Sequence, residues 1–136
     1  MKNPIVRTLS GHTFVIPLLL ALIFGCSTLP TTQTAKDLKS IRGKWEGWGE
    51  NQKYGRFFIT LIIQEEGEWQ MKTDVSFFKG SQFSGKAWVA EGKFEFFSET
   101  PQLRGTYTLH STGEKRWLTF MSDDGDTTAA LEPSFR

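Results

Sequence analysis

The chain has 136 residues, 16 basic and 15 acidic side chains, a formal net charge of +1 and a single cysteine. A balance this close to neutral gives no electrostatic basis for nucleic-acid binding. One cysteine leaves no disulfide within the chain and no cysteine-built metal cluster, so a domain of this size must hold together on its core alone.

Residues 1–25 place the basic Lys2 and Arg7 ahead of an apolar run, Phe14–Phe24, with Gly25 just before Cys26. Basic, apolar and small segments in that order describe a secretory signal peptide. The run is too short for a transmembrane helix, which needs about 20 apolar residues, and it contains Pro17. Ile23-Phe24-Gly25-Cys26 resembles the lipobox of bacterial lipoproteins. That resemblance implies cleavage between Gly25 and Cys26, lipidation of Cys26 and attachment to the membrane through it. Ser27 in the next position is similar to the pattern of lipoproteins sent to the outer membrane, facing the periplasm. Removal of the signal takes away Lys2 and Arg7, leaving 14 basic against 15 acidic side chains, near −1.

Residues 26–40 follow the lipidated cysteine with a polar, Thr-rich stretch that cannot bury enough surface to offset chain entropy, and read as a flexible tether. From Ile41 to Arg136 the texture changes to short segments dense in Phe, Trp, Val, Ile and Thr, separated by turn clusters containing Gly. Helical periodicity is absent, and the alternation is that of antiparallel strands. Trp69–Phe77 is the clearest case, with apolar odd positions and polar even ones. Hairpin turns must keep opposed residues on one face, so turn length and hydrophobic phase have to agree. Glu65-Glu66-Gly67 suits a three-residue loop with Gly67 left-handed. Lys79-Gly80-Ser81 would pair Phe77 with Phe83 and Val75 with Gly85. Glu91-Gly92 opposes Val89 to Phe94, and Thr100-Pro101 sets Phe96 opposite Gly105. Gly113-Glu114, as a type II′ turn, opposes Leu109 to Leu118; Asp124-Gly125, as type I′, opposes Phe120 to Ala129. The expectation is an all-β domain, an eight-stranded antiparallel up-and-down meander closed into a barrel, with strands near 41–50, 56–64, 68–78, 82–90, 93–99, 102–110, 115–122 and 127–132. A curled open sheet or a β-sandwich is the alternative.

The same phases point Trp45, Trp69, Phe77, Phe94, Tyr107 and Phe120 into the barrel among branched aliphatics, with no charged side chain inward. An interior without ionisable groups offers no general acid, base or metal-bound water, so no catalytic residue, metal or cofactor is expected. Small barrels either fill with side chains or hold one small ligand. Gly43, Gly47 and Gly49 on the first strand are compatible with space for a guest beside Trp45, or with sharp coiling and close packing. Gly43-Lys44-Trp45 on the first strand of such a barrel is similar to the Gly-x-Trp signature of lipocalins. That resemblance implies carriage of a small apolar ligand inside the barrel, by the six aromatics just named, and an arginine packed against the tryptophan. Arg116 falls on the outward phase and Arg136 at the last position.

His110 has no visible catalytic partner, and Asp123-Asp124-Gly125-Asp126 lacks the spacing of a twelve-residue calcium loop. On the outside, Trp48 falls opposite Phe58, Trp88 between Lys72 and Glu95, and His110 opposite Trp117. Trp48, Phe58 and Trp88 are therefore candidates for an interaction patch, although cross-strand pairs also stabilise sheets by themselves. Two functions follow as expectations: a membrane-anchored carrier of a small apolar ligand, or a cell-envelope interaction or inhibitor module that uses its outer aromatics.

Overall fold

The structure is a computed structural model that describes residues 29–77, 80–99 and 102–135. Nine strands form in chain order: β1 (Thr31–Gln33), β2 (Gly43–Asn51), β3 (Gly55–Ile63), β4 (Glu68–Phe77), β5 (Gly80–Ala90), β6 (Lys93–Ser98), β7 (Leu103–Ser111), β8 (Arg116–Ser122) and β9 (Thr127–Pro133). Strands β2 to β9 each pair antiparallel with the next, and β9 pairs back onto β2 from Trp45↔Pro133 to Asn51↔Thr127. The meander is therefore a closed eight-stranded barrel, and closure leaves β2 and β9 without free edges.

Turn chemistry sets most registers as expected. Gly67 is left-handed at φ 88°, Gln64 donates to Glu68 at 2.8 Å, and Leu61 lies opposite Met71. Glu91 and Gly92, both at positive φ, place Val89 opposite Phe94. Phe96↔Gly105, Leu109↔Leu118 and Phe120↔Ala129 also form.

Three expectations are corrected. Phe83 lies opposite Met71 and Gly85 opposite Trp69, not opposite Phe77 and Val75; a β-bulge between Lys72 and Phe77 and a tighter Phe77↔Gly80 closure account for the slip. From Glu68 to Lys72 the displacement is six residues, an even number, so these side chains keep their faces and alternation alone cannot distinguish the two registers there. It also moves Lys72 opposite Gln82, away from Trp88, which keeps Glu95 as its partner on β6. At the last two hairpins the turn types differ. Gly113 and Asp124 are not at positive φ, whereas Gly125 is, at 75°. Gly125 N–H donates to Ser122 at 2.9 Å, and the Ser122–Thr127 loop is closed by the Ser122 hydroxyl, which accepts from Thr127 N–H at 3.0 Å.

The segment read as a flexible tether is, from Thr31 onward, docked. β1 continues the side of β7 beyond the start of β6, with Thr31↔Ser111, Thr32↔His110 and Gln33↔Leu109. The chain then crosses the barrel end as a 3-10 turn, Leu38–Ile41, capped by the Asp37 carboxylate, which accepts from Ser40 N–H at 3.2 Å. Ile41 is fully buried and Leu38 packs on the core, so this turn closes one end of the barrel. The turns at Gly67 and Gly92 and the 112–115 loop lie at that closed end; the Asn51–Gly55 and Ser122–Thr127 turns lie at the opposite mouth.

Candidate functional site

Among the described residues the lumen is filled with side chains. Phe96 sits at its centre, with ring centroids 5.3 Å from Trp69, 4.9 Å from Tyr107 and 4.8 Å from Phe120. Phe94, Leu61, Leu109, Leu118 and Leu131 are buried around them. Of the six aromatics expected to receive a ligand, Trp45, Trp69, Phe94, Tyr107 and Phe120 are buried against the common core; the side chain of Phe77 lies outside the described residues. Burial pushes the Tyr107 phenol above its ordinary pKa. An internal void near the mouth, between Asn51, Phe57, Met71, Phe83, Leu103 and Phe120, measures about 30 Å³. Ligand pockets run to about 300–1,000 Å³, so this void has the scale of one water molecule.

The first-strand glycines answer their own ambiguity. A Cβ on Gly47 would collide with the Ala130 carbonyl, and one on Gly49 would lie 2.7 Å from the Phe57 ring. At these two positions the missing side chain lets backbone or ring approach and leaves no space for a guest, whereas Gly43, at φ 123°, has open space around its Cβ position. Among the described residues the buried polar side chains are Asn51, Thr73, Ser98 and Ser122. Asn51 donates to Thr127 at 2.7 Å and accepts from Lys53 and Tyr54 N–H, tying the β2–β3 turn to β9. Ser98 donates to the Ser84 carbonyl at 2.7 Å. These bonds satisfy backbone and turns. The Asp124 carboxylate is held below its ordinary pKa by the Ser122 hydroxyl and then by Asp126 N–H, as a turn-closing group. Among the described residues, no three His, Cys, Asp or Glu side chains gather as a metal site.

Trp45 is held from two sides. Its indole N–H donates to the Ile41 carbonyl at 2.7 Å, and the Arg116 guanidinium lies 5.9 Å from its ring while bonding the Ser40 carbonyl. Arg116 does leave β8 on the outward phase, as the alternation requires. Its long side chain nevertheless reaches around the barrel end, a path that alternation does not encode. An arginine thus lies over Trp45 although its position in the sequence gives no sign of it.

The outer face of β3, β2, β9, β8 and β7 is built differently. Trp48 and Phe58 meet edge to face at 5.3 Å, with the Arg56 guanidinium 4.4 Å from the Trp48 ring. Trp48 remains 49% exposed and Met121 57%. Between them the floor is small: the cross-strand row runs Trp48, Ala130, Thr119, Thr108. Large residues flanking a floor of Ala and Thr make an open groove of about 740 Å³, bordered by Arg56, Lys93, Glu50 and Asp123. His110 stacks on Trp117 at 5.3 Å and bonds Thr119 at 2.8 Å beside this floor. The structure brings Trp48 and Phe58 together as expected and leaves Trp88 on a different face, over β5. The groove itself escapes a reading by aromatics alone; its signal is the run of outward small residues, Thr119, Thr128 and Ala130, on adjacent strands.

Comparison with models of protein families, with curated proteins and with solved structures finds no match.

Proposed function

We propose that this chain is a non-catalytic lipoprotein of the bacterial outer membrane, anchored through Cys26, with a lipocalin-like barrel that acts by receiving a polypeptide partner in its outer groove. The observation that carries the reading is the contrast between a packed lumen, with a void of about 30 Å³, and an open groove of about 740 Å³ beside an exposed tryptophan. Trp48 with the Arg56 guanidinium over its ring, and the exposed Met121 across the groove, are residue types that protein interfaces concentrate at their centres; the small Ala and Thr floor between them gives the groove its depth. Charges of both signs at the rim favour a polypeptide over a uniformly charged polymer. The lipobox-like Ile23–Cys26 supports the anchor, and the Gly43-Lys44-Trp45 signature with Arg116 over Trp45 supports the lipocalin-like family.

A photo-crosslinking residue at Thr119 on the groove floor tests this in intact cells, with Gln70 on the far face as control. A discrete adduct at Thr119, absent at Gln70 and reduced at least tenfold by Trp48→Ala, is expected. The same adduct from both positions, or one indifferent to Trp48→Ala, refutes the groove as the partner site.

A further inference from the structure

Docking of Thr31–Gln33 changes what a lipid anchor can do. Gln33 Nε2 donates to Ser111 Oγ at 2.7 Å, Thr32 Oγ1 lies 3.4 Å from His110 Nδ1, and Ala35 N–H donates to Gly92 at 2.8 Å. Ala35 is itself buried. Thr31 faces Ser111 at the last position of β7, which puts the start of the docked chain at the closed end of the barrel. Only four residues lie between Cys26 and Thr31, and the five Cα–Cα steps that join them span at most about 18 Å when fully extended. A nine-residue strand such as β2 is about 30 Å long, or about 20–25 Å along the axis of a closed barrel once tilted.

Resting on the lipid-anchor reading of Cys26, we infer that the closed end of the barrel is a membrane-contact face, held onto the lipid surface by the docked β1, with the mouth turned away. An inverted domain would lift Thr31 a full barrel length above the surface, beyond the reach of its tether. The apolar side chains near this end fit the same occupant. Leu29, two residues before β1, is 82% exposed, and Phe135, just beyond β9, is 95% exposed. Phe135 borders a hollow that Arg42, Lys44 and Lys115 line; Arg42 pairs with Glu65 and Lys44 with Glu46, and the long Lys115 side chain can meet a lipid phosphate while its stem lies on apolar surface. Glu114 and Glu132 line the same hollow, so its charge is mixed. The covalent lipid supplies the affinity and β1 the orientation.

The test uses the full lipidated chain in vesicles of phosphatidylethanolamine and phosphatidylglycerol carrying a nitroxide headgroup lipid. Bimane is attached at Glu114→Cys, in the loop at the closed end, or at Lys53→Cys, in a turn at the mouth. Quenching several-fold stronger at position 114 than at 53 is expected. Ten Gly/Ser residues inserted between Ser27 and Thr28 add about 30 Å of reach without touching the lipid or β1, and should lower quenching at 114 several-fold. Vesicle flotation reads the anchor separately. Failure to float overturns the Cys26 reading and the orientation with it. Flotation with equal quenching at both positions overturns the orientation alone, and quenching indifferent to the insertion overturns the role of the short tether.

Discussion

Two buried tryptophans differ in one atom's fate. Trp45 and Trp69 are each almost fully shielded, yet the Trp45 indole N–H bonds the Ile41 carbonyl while the Trp69 N–H has no partner. A buried donor left unpaired costs about 1–3 kcal/mol, whereas removing one partner of a made bond leaves the other stranded. Replacing Trp45 with Phe loses the bond, strands the Ile41 carbonyl and withdraws the surface under Arg116. Replacing Trp69 with Phe deletes a donor that is already unsatisfied. We expect Trp45→Phe to be more destabilising than Trp69→Phe by about 1–2 kcal/mol, measured by urea unfolding; equal losses would mean that the N–H of Trp69 is satisfied by bound water. Neither fate is legible in the sequence, because both residues occupy inward odd positions with similar neighbours. The partner of Trp45 comes from a 3-10 turn whose only sequence signal is Asp37 standing three residues before Ser40.

Strand alternation carries faces well and registers less well. Every hairpin except β4–β5 takes its expected register, and Gly67, Gly92 and Gly125 supply left-handed backbone in three of the turns. At β4–β5 the pairing of Glu68–Lys72 stands six residues from the expected one, an even step that parity cannot detect; what selects the register is bulk, since Gly85 lies under the Trp69 ring where a Cβ would come within 2.8 Å of it. β1 is invisible to the same reasoning because Thr31–Gln33 is short, exposed and polar, held by main-chain pairing and not by a buried face. Glycine in β2 provides the test at this scale. Gly47→Ala drives a methyl into the Ala130 carbonyl across the seam between β2 and β9, whereas Gly113 has open space around its Cβ position and no positive φ. We expect Gly47→Ala to destabilise by at least about 2 kcal/mol, at the severe end for a single methyl. Gly113→Ala should be neutral or stabilising by about 0.4–1 kcal/mol. Thermal melts of the two variants side by side decide it, and a tolerated Gly47→Ala would show that the seam is looser than drawn.

For the molecule as a whole, the question is which surface does the work. Composition and phase give a wall of aromatics without charge, and that description suits a hollow carrier and a solid core equally well. Volume separates them: Trp69, Phe96, Tyr107 and Phe120 close on one another at 4.8–5.3 Å. Displacing such rings to admit a guest would forfeit contacts of roughly 0.5–1.5 kcal/mol per aromatic pair beyond their burial. Titration of residues 29–136 with 1-anilinonaphthalene-8-sulfonate is expected to give no saturable fluorescence. Saturable binding, competed by a fatty acid and weakened by Phe96→Ala, would return the lumen to consideration as the working site. A carrier's hollow interior and a solid core share one sequence pattern because each needs apolar inward positions; side-chain volumes summed around a circumference decide, and that sum requires the strand partners.

The β2–β9 seam also constrains how the protein is made. It joins Trp45 to Pro133, so the cylinder cannot shut until β9 is available, long after β2 has emerged. Until then two long hydrogen-bonding edges stand open to neighbours. Assemblies dominated by such distant pairings form in about milliseconds to seconds, far slower than helical bundles. A chain in that interval has to be shielded from self-association before its last strand arrives, which is the task of a holdase chaperone.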